Sequence, residues 1–120
     1  MEDIVQEALH KGVELHQDGQ INLAKKLYAA VIQAEPMNTD ANHNTGTIKM
    51  AENQVAEAIP FFKIALEENP DNGQFWVSYI NALVVFGAIG DANNMLTQAK
   101  QRGAKGKAFD QLEEIIGQHD

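Results

Sequence analysis

Four histidines have the side chains with the most versatile chemistry, because imidazole titrates near neutral pH and binds metal ions. They are His10, His16, His43 and His119. His10 and His16 are six residues apart and therefore fall on different faces of a helix, and no His-x-x-x-His segment occurs. A zinc ion between His10 and His43 would lack clear further ligands. The sequence therefore predicts no metal site.

Other residue types that carry out catalysis are missing or poorly placed. The chain has no cysteine, which removes thiolate nucleophiles, thiolate metal ligands and disulfides. The carboxylates of Glu67–Glu68 and Glu113–Glu114 are adjacent in sequence, which favours a solvated helix face over the opposed pair of a glycosidase. Lys105 and Lys107 lack a preceding glycine-rich phosphate loop, and no Gly-x-Ser-x-Gly segment occurs. We expect no catalytic residues, no cofactor and no enzymatic activity.

The charge of the chain limits the classes of partner. Nine Lys and Arg residues oppose 17 Asp and Glu residues, which gives a net charge of −8. This excess repels nucleic-acid phosphates and anionic lipid surfaces, so we expect neither as a partner. The N-terminus is acidic, unlike a secretory signal, and the longest apolar stretch, Ala82 to Ile89, is too short to span a bilayer. We expect a cytoplasmic protein.

A repeat of 34 residues organises the chain. Three alanines, Ala24, Ala58 and Ala92, follow one another at this spacing. The same step relates three further sets of residues, namely Tyr28, Phe62 and Leu96; Pro36 and Pro70; and Gly12 and Gly46. Several columns with one period indicate a repeat architecture, in which each unit buries its apolar face only by stacking on its neighbours.

Each unit has the apolar period of helices, with apolar residues three and four positions apart. Polar turns at Gly19, Asn53 and Gly87 separate the two helices of each unit. In the second and third units we predict helices over about 39–52, 55–68, 73–86 and 89–102. The units span about 5–38, 39–72 and 73–104. Pro60 is expected to bend or delay the helix that contains it.

The segment of about 105–117 is predicted to be a capping helix. Its apolar residues Phe109, Leu112, Ile115 and Ile116 are expected to face the last unit, with charged residues on the outside. The first helix of the third unit is apolar on more than one face, since it contains Val77, Val84, Val85 and Phe86. Either the capping helix covers part of this surface or a partner does, and we favour the chain itself.

The 34-residue period, with its order of small residue, aromatic residue and proline, resembles the tetratricopeptide repeat (TPR) family. Trp76 stands at the family's tryptophan position, whereas Asn42 and Lys49 of the second unit replace its usual bulky residues. The resemblance implies an all-α fold, a right-handed superhelical solenoid of three helix hairpins plus a C-terminal capping helix. All of 1–120 forms one domain.

The resemblance also implies a binding surface, because the first helix of each pair lines a concave groove in this family. The positions that match this surface are Gln6, His10, His43, Asn44, Thr47, Gln74, Ser78 and Asn81. Asparagine and histidine there can bond the backbone of an extended peptide, since an amide offers both donors and an acceptor. A merely solvated concave face is the alternative.

The resemblance implies a protein–protein interaction module that binds an extended or helical segment of a partner. The family's chaperone-binding mode needs cations for a terminal carboxylate, and only Asn44 of this chain matches that set, so we do not expect it. Two alternatives stay open. One is an accessory region of a larger glycosyltransferase- or sulfotransferase-type enzyme. The other is a self-associating scaffold or homodimer that uses the third repeat.

Overall fold

A computed structural model describes residues 2–119 of the chain. In chain order its helices are α1 (Glu2–Gln17), α2 (Ile21–Ala34), α3 (Thr39–Ala51), α4 (Val55–Glu68), α5 (Gly73–Phe86), α6 (Ile89–Gln101) and α7 (Lys107–Gly117). The described residues contain no strand. None of the helices in this range is both long enough and apolar enough to cross a bilayer.

The helices stack in sequence order. Each helix from α1 to α6 packs against the next one, and α7 packs on both α5 and α6. The result is an elongated body of 47 × 27 × 21 Å. The predicted all-α solenoid of helix hairpins with a C-terminal helix is confirmed, whereas the limits proposed for the three repeats, about 5–38, 39–72 and 73–104, remain a prediction.

Residues that tolerate a left-handed backbone end the first helix of each hairpin. Gly19 has a φ of 82°, Gly87 a φ of 96° and Asn53 a φ of 61°. Two asparagines at the 34-residue step begin first helices. The Oδ1 atom of Asn38 accepts from the Ala41 amide at 2.9 Å, and that of Asn72 accepts from the amides of Gln74 and Phe75.

Size complementarity holds each hairpin together. A Cβ atom added to Gly12 would lie 2.8 Å from the Tyr28 ring, and one added to Gly46 would lie 2.7 Å from the Phe62 ring. The third hairpin has Ile80 and Leu96 at the two corresponding positions, and both are buried. A ring thus packs against a glycine in two hairpins, whereas two aliphatic chains of intermediate size meet the same need in the third.

The buried asparagine of α3 occupies the column of the family tryptophan. The Nδ2 atom of Asn42 donates to the Pro36 carbonyl at 3.0 Å and to the Asn38 carbonyl at 2.7 Å. Thirty-four residues later, the Nε1 atom of Trp76 donates to the Pro70 carbonyl at 2.7 Å. Asn42 therefore preserves the hydrogen bond of the tryptophan but not its bulk.

The structure corrects the expectation for α7 and, for α4, decides only one of two alternatives. α4 begins at Val55, so Pro60 does not delay the helix, and a bend at Pro60 stays a prediction. The ring of Pro60 is exposed, and its missing N–H costs one backbone hydrogen bond within the helix. In α7, Phe109, Leu112 and Ile116 are buried, but Ile115 is 38% exposed. Ile115 is exposed because the buried stripe already contacts α5 and α6 through the other three residues.

The third hairpin is only partly covered by the chain. Val77 and Val84 pack against the C-terminal core, as expected if α7 shields this helix. Val85 and Phe86 are 56% and 58% exposed, so the chain covers only part of this surface. They lie in the last turn of α5, and the left-handed Gly87 ends that helix immediately afterwards.

Candidate functional site

The eight candidate residues all lie on the first helices of the hairpins. Gln6 and His10 belong to α1; His43, Asn44 and Thr47 to α3; and Gln74, Ser78 and Asn81 to α5. Within the described residues, α3 and α5 approach each other more closely than the second helices α4 and α6 do. We call the surface formed by these eight residues the groove, and its concave shape stays a prediction.

One hydrogen bond between two repeats and one within α5 join the centre of the groove. The Nε2 atom of His43 lies 2.8 Å from the Ser78 hydroxyl oxygen, which connects α3 to α5. The Nε2 atom of Gln74 donates to the same hydroxyl oxygen at 3.3 Å. The structure thus brings together three of the predicted residues, although His43 precedes Gln74 by 31 positions and Ser78 by 35.

Aromatic rings surround His43 and set its protonation state. Its ring centroid lies 5.5 Å from that of Phe62 and 4.9 Å from that of Phe75. Burial lowers the pKa of His43 below its ordinary value, and Asn44 and Asp40 oppose this shift only in part. The imidazole is therefore neutral near pH 7, and it presents one donor and one acceptor to its surroundings.

The remaining candidates differ in their freedom to bind. Gln6, His10 and Asn81 are exposed, and Asn44 is half-buried next to His43. The Thr47 hydroxyl donates to the His43 carbonyl within α3 at 3.0 Å, so its proton is already engaged. The hydrogen bond between His43 and Ser78 joins α3 to α5, whereas no side-chain hydrogen bond in the described part of the chain links Gln6 or His10 to them.

The side chains described for residues 4–119 form no cluster of metal ligands. No three His, Asp or Glu side chains among them are close enough together to hold a metal ion. The groove residues are instead amides, hydroxyls and imidazoles, which can hydrogen-bond a peptide backbone and its side chains. The arrangement is suited to binding.

Sequence reasoning missed a second concave feature. An apolar cleft of about 580 Å³ opens between α2, α3 and α4, away from the groove. It is lined in part by Thr45, Ile48 and Phe61. A signal for it exists in the repeat columns, because Asn42 and Thr45 stand 34 residues before Trp76 and Tyr79, and bulk is lost at both positions.

Solved structures with the same fold include several tetratricopeptide domains. The TPR2B domain of yeast Sti1, solved as a complex with pHsp70, matches with a TM-score of 0.83 and 20% identity, over 97% of this chain and 98% of that one. The Hsp90 co-chaperone Cns1 of Saccharomyces cerevisiae gives a TM-score of 0.85 and 20% identity, over 98% of this chain and 39% of that one.

A bacterial structure shares the fold as well. The type III secretion chaperone SycD of Yersinia enterocolitica, in complex with a peptide of the translocator YopD, matches with a TM-score of 0.76 and 17% identity, over 97% of this chain and 88% of that one.

A comparison with curated proteins found no match. The family model of the tetratricopeptide repeat matches residues 49–114, which is more than half of the chain. The chain therefore belongs to the tetratricopeptide repeat family.

Proposed function

We propose that this chain is a protein–protein interaction module that binds an extended segment of a partner in the groove. The observation that carries the proposal is the polar centre of the groove, where His43 and Ser78 meet at 2.8 Å across two repeats. A fixed imidazole and hydroxyl beside the half-buried Asn44 offer a preorganised set of donors and acceptors. Preorganised groups bind more tightly because less side-chain freedom is lost on association.

The structural relatives support binding of a peptide. The Sti1 domain is described in a complex with pHsp70, and SycD in a complex with a YopD peptide. This chain has the same fold over nearly its whole length, which supports a peptide-binding role for it as well. The chemistry of the segment depends on the residues of this chain alone.

The groove residues favour a segment bound through its backbone. None of the eight is a lysine or an arginine, so a terminal carboxylate would have no cation among them. Amides and hydroxyls instead match the alternating N–H and C=O groups of an extended chain. The net charge of −8 favours a neutral or basic segment through long-range attraction.

Paired substitutions test the groove. Proteins captured from lysate by the wild-type chain are identified by mass spectrometry, and synthetic segments of them are titrated by calorimetry. We expect Asn44→Ala combined with Asn81→Ala to weaken binding at least tenfold, since amide contacts to the backbone are lost. The matched control is Asn94→Ala, an exposed asparagine of α6 on a second helix. Equal affinity of the double variant and the wild type would refute the groove.

A homodimer through the third repeat is a second candidate function. Val85 and Phe86 are adjacent and more than half exposed, which is unusual for large apolar side chains in a short helix. Light scattering over a range of concentrations tests it. We expect a mass that rises with concentration and returns to that of a monomer in Phe86→Ser. A monomer at millimolar wild-type concentration would rule this candidate out.

A further inference from the structure

The cleft between α2, α3 and α4 opens to the surface and has a mostly apolar lining. Its volume of about 580 Å³ lies within the range of ligand-binding pockets, and its floor includes Ile32, Ile48 and Phe61. Ile48 is 3% exposed and belongs to the core of the first three helices. The cleft thus reaches the core, and its lining is preformed by packed helices.

The next repeat shows what normally occupies this position. Between α4, α5 and α6 the corresponding cleft is lined by Trp76 and Tyr79, and its volume is about 420 Å³. Trp76 is only 6% exposed there, so its indole covers the core. At the equivalent positions the second repeat has Asn42 and Thr45. The cleft of the second repeat is therefore the larger of the two, and it has Thr45 where that of the third repeat has Tyr79.

One residue that lines the cleft has a buried polar atom without a partner. The hydroxyl oxygen of Thr45, which lines the cleft, is buried and has no hydrogen-bond partner in the described part of the chain. Buried polar atoms normally have partners, and this hydroxyl can meet one from the cleft when the Thr45 side chain rotates toward it.

The rim of the cleft is basic, in contrast to the acidic chain. Lys25, Lys26 and Lys49 all line it, although the chain has only nine lysines and arginines. Lys25 pairs with Glu52 at 3.0 Å. Within the described residues, Lys26 and Lys49 have no carboxylate at ion-pair distance. Two free ammonium groups at the mouth favour an anionic partner.

We propose that this cleft binds an aromatic side chain of a partner protein that is flanked by acidic residues. The ring fills the apolar space, the flanking carboxylates meet Lys26 and Lys49, and a rotated Thr45 side chain accepts a hydrogen bond from an indole N–H or phenol O–H. The site is separate from the groove and does not depend on it. One chain therefore offers two surfaces, one for a neutral or basic segment and one for an acidic segment.

A model peptide tests the chemistry. The probe is an N-acetylated, amidated pentapeptide with tryptophan in the centre and two glutamates on each side, titrated into the full chain by ¹⁵N NMR. We expect saturable shifts of the Thr45, Ile48 and Phe61 amides. Replacing the tryptophan by alanine should weaken binding at least tenfold, and replacing the glutamates by lysines should abolish it. No saturable shift up to millimolar peptide overturns the proposal.

Two neighbouring alanines of α2 provide a variant that blocks the cleft and its matched control. Ala29 lines the cleft and is exposed, so Ala29→Phe closes the mouth without disturbing the core. Its neighbour Ala30 is exposed outside the cleft, and Ala30→Phe is the control. We expect Ala29→Phe to abolish peptide binding and Ala30→Phe to leave it unchanged. Lys26→Glu with Lys49→Glu should weaken it at least fivefold at low salt.

Three outcomes would contradict the proposal. Peptide shifts confined to groove amides such as Asn44 and Ser78 would place the acidic segment in the other site. Saturable binding of indole-3-acetate without binding of the peptide would make the cleft a small-molecule site. Self-association that Ala29→Phe abolishes would make a second copy of the chain its occupant. The groove variant Asn44→Ala should leave binding of the pentapeptide unchanged, so failure at either surface is distinguishable.

Discussion

Glycine at position 46 illustrates how one missing methyl group sets the distance between two helices. A Cβ atom there would lie 2.7 Å from the ring of Phe62, which is itself 3% exposed and cannot turn away freely. We expect Gly46→Ala to lower the free energy of unfolding by about 1–2 kcal/mol, because the overpacking exceeds the gain of about 1 kcal/mol in helix propensity. Chemical denaturation measures it.

The control and the rescue for this substitution come from the same chain. Gly73→Ala begins α5 with nothing within 4 Å of the added atom, so its stability should be equal to or above that of the wild type. Gly46→Ala combined with Phe62→Leu approaches the Ile80–Leu96 pair, and we expect it to cost less than the two single changes added together. Strict additivity would show that the ring does not contact position 46.

The protonation of His43 links stability to pH. Burial lowers the pKa of His43 in the folded chain below its ordinary value of 6.5, so the unfolded chain binds the proton more tightly. Stability is therefore highest above pH 6.5 and is lost as the pH falls from 6.5 to the lowered folded value. We expect His43→Gln to remove this loss in denaturation curves between pH 7 and pH 5, about the range in which histidines titrate. Parallel curves for both chains would contradict it.

At the scale of helices, two neighbouring isoleucines of α7 differ in burial. Ile116 is 4% exposed and Ile115 is 38% exposed. We expect Ile116→Ala to cost about 2–4 kcal/mol of unfolding free energy, because it leaves a cavity against α5 and α6. Ile115→Ala, the matched control, should cost less than about 1 kcal/mol. Equal losses in thermal denaturation would mean that α7 does not dock through this stripe.

The sequence predicts the helices well and their contacts less well. Its period and its turn residues place α3 to α6 within one residue of their observed ends, because Asn53 and Gly87 tolerate the left-handed backbone that ends a helix. Apolar spacing cannot separate Ile115 from Ile116, since both follow Leu112 at helical intervals. The contact of His43 with Ser78 depends on how two hairpins stack, which no local pattern specifies.

At the scale of the whole molecule, the two ends of the stack differ in how many neighbouring helices pack against them. α5 packs against α3, α4, α6 and α7, whereas α1 packs chiefly against α2. In a solenoid, each unit is stabilised mainly by its neighbours. We expect the first hairpin to open at a free energy at least about 1 kcal/mol below that of the third, measured by native-state hydrogen exchange of α1 and α5 amides. Equal values would show one cooperative unit.

The two candidate surfaces differ in how far the sequence predicts them. The family resemblance places His43, Asn44 and Ser78 on first helices, because the 34-residue step carries the same column from unit to unit. The cleft beside Thr45 is an absence of bulk, and its volume depends on how closely α2 and α4 approach across it. A residue count cannot supply that distance, although the repeat columns reveal which side chains are small.

The pairing of ring with glycine has a consequence for how such a chain diversifies. Gly12 meets Tyr28, Gly46 meets Phe62, and Ile80 stands opposite Leu96, each inside one hairpin. Duplicating or exchanging a whole hairpin keeps both members of a pair together. A crossover at Asn53 would instead join one unit's first helix to another's second and set isoleucine against phenylalanine, or glycine against leucine. The helix hairpin is thus the smallest unit that recombination can exchange without separating the two members of a pair.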